Sequence, residues 1–381
     1  MTKQHHLSIF FLLNFLIFIS LRLSAQSVAI HFDIRADTLK VPAYKFTTIG
    51  ENQTFVSMAY GHYNLHTMAM QRFLENKTIQ KIELLYTDFP KGSDFELLNK
   101  RRLAALYILA PHVFADARIE WTLIVQTSAH NQDQAAKLPH GFVITYRTEA
   151  TKTTAIAESK SIKEIMLGKA NFEDSTVYKA LKRNKWKKSL VVSDLTGNMS
   201  PYSGQLLLWY RQNHDEKDKV IKEFVFFNDG DTKPQKEKGL GHAGGIYHTP
   251  AVDVNKVLDL ALQTMSKGNG GDSPENNIEA LMTGITKCPD CENVIMIADN
   301  WADVRDIALL SQIRKPIKIL VCGAKNGSIN TEYLQIARAT KGSIHTIDKD
   351  IYDLNKIAEG QSIKIGKHIF KLQNGTFVQV R

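Results

Sequence analysis

The sequence predicts an α/β protein. A doubly wound, mostly parallel sheet is expected over residues 188–347, after a smaller α/β or α+β domain and before a short β-meander. Three observations carry this. Short apolar runs (Leu190 to Val192, Val294 to Ala298, Ile317 to Val321) read as strands buried on both faces. Between them, apolar residues recur at helical spacing, as in Val254, Val257, Leu258, Ala261 and Met265, or Ile278, Leu281, Met282 and Ile285. The runs stop at polar, acidic loops, and ligands of such sheets bind at the carboxyl ends of the strands.

The chain has 381 residues, room for two ordinary domains. Its 43% apolar and 23% charged residues are those of a globular protein. The net charge of +9 is dispersed, apart from the run Lys182 to Lys188. That run reads as solvated linker, and without a basic, aromatic-bearing face nucleic-acid binding is not expected. Lys3 precedes an apolar run from about Ile9 to Ile19, followed by Leu23-Ser24-Ala25-Gln26. The run is shorter than the ~20 residues that span a bilayer. It predicts a signal peptide over 1–25 with cleavage after Ala25, and so export to periplasm, envelope or medium with no later transmembrane segment. A retained anchor is the alternative.

Residues 27–150 alternate between strand and helix patterns. Val28 to Ile34, Phe55 to Ala59, Ile79 to Tyr86, Ile119 to Val125 and Phe142 to Tyr146 read as strands. Helices are expected from about Met68 and over Phe95 to Leu109, which stops before Pro111. Three pieces, Ile30 to Ile34, Tyr86-Thr87-Asp88 and Asn99-Lys100-Arg101-Arg102, resemble the peptidoglycan-binding domain of the outer-membrane protein A family. The resemblance implies that Asp88 and Arg102 (or Arg101) grip a diaminopimelate group, so peptidoglycan is a possible partner. Leu85 and Leu103 depart from the small residues of that family. Residues 151–187 read as a linker with a short helix in Glu173 to Trp186.

In the second domain, Leu190 to Val192 reads as a strand, Ser203 to Tyr210 as a helix, and Val220 to Phe227 as a strand ending in the turn Asn228-Asp229-Gly230-Asp231. A short edge strand is expected near Gly244 to Tyr247. Val304 and Ile307 are expected on a helix starting near Trp301, with Asp303 and Asp306 facing solvent. Tyr333 to Ala339 reads as a helix and Ile344 to Ile347 as the closing strand. Three acidic loops fall at the strand ends: Asp194-Leu195-Thr196-Gly197-Asn198, Asp272-Ser273-Pro274-Glu275, and Asp299-Asn300. Singly each is an ordinary turn. Together they supply the hard oxygen donors that Mg²⁺ favours.

Those loops resemble the von Willebrand factor type A domain with its metal-ion-dependent adhesion site. Asp194-Leu195-Thr196-Gly197-Asn198-Met199 is similar to the family's Asp-x-Ser/Thr-Gly-Ser-Met, Asp272 to Met282 to the integrin β version of the second loop, and Asp299 to the third-loop Asp. Thr340 to His345 is similar to the closing Thr-Gly-Gly strand. The resemblance implies a metal site of Asp194, Thr196, Asn198, Asp272 or Glu275, and Asp299. It would hold Mg²⁺, or Mn²⁺ or Ca²⁺, with one position open to a carboxylate of a protein partner. Asn198 stands where the family has Ser.

The remaining candidates read as structure. His242 and His248 flank a glycine-rich loop with no third ligand at compatible spacing, and Trp209 and Trp301 read as packing. Cys288-Pro289-Asp290-Cys291 reads as a local disulfide or two inert thiols, since no second ligand pair for zinc is visible. Beyond 347, a helix over Asp348 to Ala358 and three short strands are expected, with a tight turn at Asn374-Gly375. No nucleophile elbow, zinc-protease helix or phosphate loop is visible. The expected function is metal-dependent protein binding. The alternatives are an envelope enzyme, either a metal-assisted hydrolase or a thiol oxidoreductase, and a structural protein with a degenerate metal site.

Overall fold

The computed structural model describes residues 36–46, 52–65, 68–75, 77–116, 118–147, 152–196, 199–214, 220–268, 274–324 and 327–380. The signal-peptide reading, the Val28 to Ile34 strand, Gly197-Asn198 and Asp272-Ser273 lie outside them. The chain divides into two compact units, Met1–Arg147 and Thr148–Arg381. Both are α/β and contain parallel strand pairs.

The first unit runs β1 (Ala36–Val41), β2 (Gln53–Ser57), α1 (Met68–Glu75), β3 (Ile79–Thr87), α2 (Glu96–Leu109), α3 (His112–Ala115), β4 (Glu120–Gln126), α4 (Gln132–Lys137) and β5 (Gly141–Tyr146). Its sheet order is β1-β4-β3-β5-β2. The pairs β1–β4 and β4–β3 are parallel, and β3–β5 and β5–β2 are antiparallel. Alternation sorts the side chains: Leu85, Ile124 and Val143 share one core with Val41, Tyr44 and Phe55.

The second unit begins with α5 (Lys152–Met166), where the sequence reads as linker, and α6 (Thr176–Asn184), which falls within the short helix expected over Glu173 to Trp186. Among the described residues of α5, the buried apolar ones (Ile162, Ile165 and Met166) fall in its last turn and a half, behind a Thr/Ala/Lys/Ser stretch of sequence, so no period is visible. Ile165 packs against α7 (Ser200–Asn213) at Gly204, where an added Cβ would come within 2.8 Å of it.

The central sheet contains β6 (Ser189–Asp194), β7 (Ile221–Phe227), β8 (Ile246–Pro250), β9 (Asn293–Asp299), β10 (Ile317–Cys322), β11 (Ser343–His345) and β12 (Asp350–Ile351). Its order is β12-β11-β10-β9-β6-β7-β8. The inner strands β7, β6, β9, β10 and β11 are parallel, and β8 and β12 are antiparallel edges. Helices cover both faces. Leu190, Val192, Met296 and Ile319 pack with Ile278 and Leu281 of α9 (Asn277–Lys287) and Tyr333 and Leu334 of α10 (Thr331–Ala339). Val191, Phe224, Ile295 and Leu320 pack with α6, α7 and α8 (Val254–Lys267). To reach this sheet the chain goes from β6 outward to β7 and β8, then crosses back to β9 on the other side of β6. By the general rule for such sheets, the carboxyl ends of β6 and β9 are therefore where a ligand site is expected.

Two further elements differ from the sequence reading. The segment after β9 is a 3₁₀ turn over Ile307–Gln312, not an α-helix. The helix expected over 348–358 is replaced by β12 and a 3₁₀ turn at Leu354–Lys356. Asp350 is held in the edge strand by Arg183 and by His345 Nδ1 at 2.7 Å, and Asp353 has φ +60°, which breaks a helix there. The meander of β13 (Ser362–Ile365), β14 (His368–Gln373) and β15 (Thr376–Gln379) is antiparallel. Asn374 and Gly375 both take positive φ, as a two-residue hairpin turn needs. Phe370, Leu372 and Phe377 join the core that contains α10.

Candidate metal centre at the carboxyl edge of the sheet

Asp194 is the last residue of β6 and Asp299 the last of β9, on neighbouring strands. Glu275 reaches the same place from the segment before α9. Its backbone is clamped there: Glu275 N donates to the Asp303 carbonyl and Arg305 N to the Glu275 carbonyl, both at 2.8 Å. The side chains then meet. The Thr196 hydroxyl lies 2.6 Å from Asp194 Oδ1 and 2.9 Å from Glu275 Oε1, and Thr196 N donates to Asp194 Oδ1 at 2.6 Å. One hydroxyl carries one proton, so it cannot donate to both carboxylates.

A fourth carboxylate, which sequence reasoning missed, joins them. Asp229 follows β7 and is 1% exposed. Asn228 anchors the turn by donating to the Thr264 carbonyl at 2.6 Å and accepting from Asp231 N at 2.9 Å. Gly245 closes it with φ +67°, where a Cβ would fall 2.1 Å from Asn228 Oδ1, so only glycine fits. Asp229 Oδ1 accepts from Asn276 N at 3.0 Å, and its carboxylate lies within hydrogen-bonding reach of Glu275. The signal available in the sequence was its place: an acid just beyond the strand next to β6.

Asp194, Thr196, Glu275 and Asp229 are all at least 98% buried. Asp194 Oδ2, Glu275 Oε2 and Asp229 Oδ2 have no hydrogen-bond donor. Burial, then the Asp229 charge, pushes the Asp194 pKa well up. Burial, then the Asp194 charge, does the same to Glu275. Burial also raises Asp229, opposed by the neighbouring Glu275 carboxyl and by the Asn276 amide. An arrangement this costly persists where something positive compensates it.

The donor set fits a hard divalent cation. Oxygens around an octahedral ion with a metal–oxygen distance of about 2.1 Å stand about 3.0 Å apart, close to the Asp194–Thr196–Glu275 spacings. Among the described residues, no three His, Cys, Asp or Glu side chains are grouped tightly enough to hold an ion by themselves. Thr196 would supply the third oxygen. When bound, a cation would supply a Lewis-acidic position for an anionic group.

The surroundings are tied in by hydrogen bonds. Asp299 Oδ1 accepts from Trp301 N at 3.1 Å, and its carbonyl accepts from Tyr333 Oη at 2.9 Å. Asp306 does not face solvent as expected. It is fully buried and caps α9, accepting from Ile278 N at 3.0 Å and Glu279 N at 2.6 Å. Burial lifts its pKa to about 6 despite those amides. Asp303 is exposed. Trp209 is buried and Trp301 half-buried. His242 is exposed, and His248 Nδ1 pairs with Glu223 at 2.9 Å.

The other candidates lie apart. Cys288 and Cys291 form a disulfide between the end of α9 and the start of β9, at the opposite edge of the sheet. A Ser343–His345–Asp350 chain has hydrogen bonds of 2.7 Å on each side of the imidazole. Ser343 is only 3% and His345 0% exposed, and the chain pins β11 to β12. In the first unit, Asp88 pairs with Lys91 at 2.5 Å. Arg102 is fully buried, and donates to the His62 carbonyl at 2.9 Å and the Leu85 carbonyl at 3.4 Å. Burial lowers its pKa to about 10. Asp88 and Arg102 thus engage different partners.

No family model matches the chain, and comparison with curated proteins and with solved structures finds no significant similarity. No helix among the described residues is long and apolar enough to cross a membrane.

Proposed function

We propose that residues 188–347 form a von Willebrand factor type A-like, doubly wound domain that binds a protein partner through a divalent cation, Mg²⁺ or Mn²⁺. The cation is held by Asp194, Thr196, Glu275 and Asp299, with Asn198 and Asp272 contributed by the adjoining loops. An acidic side chain of the partner takes the remaining position. The protein acts after export, as an adhesion or scaffold protein. The observation that carries this reading is the set of three buried carboxylate oxygens, on Asp194, Asp229 and Glu275, that have no donor. Without a cation each such oxygen costs about 1–3 kcal/mol or more, so the protein gains stability by filling the site.

Calorimetric titration of the chain with Mg²⁺ and Mn²⁺ tests it. Saturable binding is expected in the natural protein and none in Asp194→Ala. Absence of binding at millimolar metal, or equal binding by the variant, contradicts the reading.

A further inference from the structure

We propose that Asp229 is a working member of the cation site, sharing the cation's charge with Glu275, and that the buried Lys238 is a resident counter-charge limiting the site to one divalent ion. This rests on the function proposed above and adds residues that the loop resemblance does not contain. The carboxylates of Asp229 and Glu275 lie within hydrogen-bonding reach, both essentially out of solvent, and each keeps one oxygen without a donor. Two such groups coexist only if a proton or a cation stands between them. Asp229 is not held there by a structural need for an acid. Its one amide partner, Asn276 N, would be accepted equally by an asparagine Oδ1. Its backbone is left-handed at φ +59°, a conformation asparagine tolerates well.

Lys238 supplies the complementary observation. It is 4% exposed, unusual for a lysine, and its Cδ and Cε pass 3.3 and 3.2 Å from where a Gly230 Cβ would sit, beside Asp229. The charges of Arg305 and Lys238 both act on Asp229. With all four carboxylates (Asp194, Asp229, Glu275 and Asp299) ionised, the two cationic side chains that act on Asp229 (Arg305 and Lys238) leave two negative charges within this group. One divalent ion balances them.

The test uses the full chain, Mn²⁺ as probe, and thermal unfolding without metal. Asp229→Asn is expected to weaken Mn²⁺ binding about 10-fold or more, while raising the melting temperature of the metal-free protein because a buried repulsion is gone. Lys238→Met is expected to move affinity the other way, to tighter binding. A merely structural role would lower stability and affinity together in both variants. Affinity of Asp229→Asn equal to the natural protein overturns the proposal, as does a variant that is less stable or unfolded without metal. Failure of the underlying reading is separate: there the natural protein itself binds no Mn²⁺.

Discussion

Lowering the pH from 6.5 to 4 is expected to remove about 3 kcal/mol of stability through His345 alone. Burial holds this imidazole at about 4, well below its ordinary 6.5, and the Asp350 hydrogen bond offsets only part of that. The sign follows from proton counts. Between these values the unfolded chain binds a proton at His345 and the folded chain does not, so acid favours unfolding. Above pH 6.5 both states are neutral there and the full contribution is present. Other charged groups facing the ring, Arg183 from α6 and Lys318 from β10, also oppose its protonation. Trp186 and Tyr352 close over it at 4.7 and 5.8 Å. Asp350 adds a second, more acidic step. Burial pushes it up, but hydrogen bonds from Arg183 and His345 prevail and hold it at about 2, so its contribution is lost as pH falls below the ordinary carboxylate range. Denaturant unfolding at pH 7 and pH 4.5 checks this. The drop should shrink in His345→Gln by roughly the His345 share, and an unchanged drop contradicts the assignment.

Gly342→Ala is expected to cost about 3 kcal/mol or more, and to prevent folding if the second unit is marginal. A Cβ at this position would lie 1.8 Å from the Ile317 carbonyl oxygen and 2.7 Å from its carbon. Both atoms are backbone, at the start of β10, so no rotamer change relieves the overlap. Relief requires separating β10 from β11, whose pairing starts one residue later at Lys318–Ser343. Chemical denaturation of the purified variant measures the effect, and a loss below about 1 kcal/mol would show that this edge of the sheet is looser than its register implies.

The parallel core was legible because it is written locally. Val191, Ile295 and Leu320 sit in continuous apolar runs that only doubly covered strands require. Asp194, Thr196, Glu275 and Asp299 were legible as candidates because their loops follow such runs or open the α9 helix. What was missed depends on distant partners. Asp229 looks like any turn acid until its strand is placed next to β6. Asp306 looks like a solvated acid, and its capping of α9 spans 28 residues. The helix α5 buries only a few apolar residues, so its hydrophilic face dominates the sequence pattern.

Anomalous X-ray scattering from crystals of the full chain grown with Mn²⁺ tests the cation site most directly. One anomalous peak is expected at the carboxyl ends of β6 and β9, bounded by Asp194, Thr196 and Glu275. The same position without a peak at saturating Mn²⁺, with the carboxylates instead bonded to each other or to Lys238, would contradict the account.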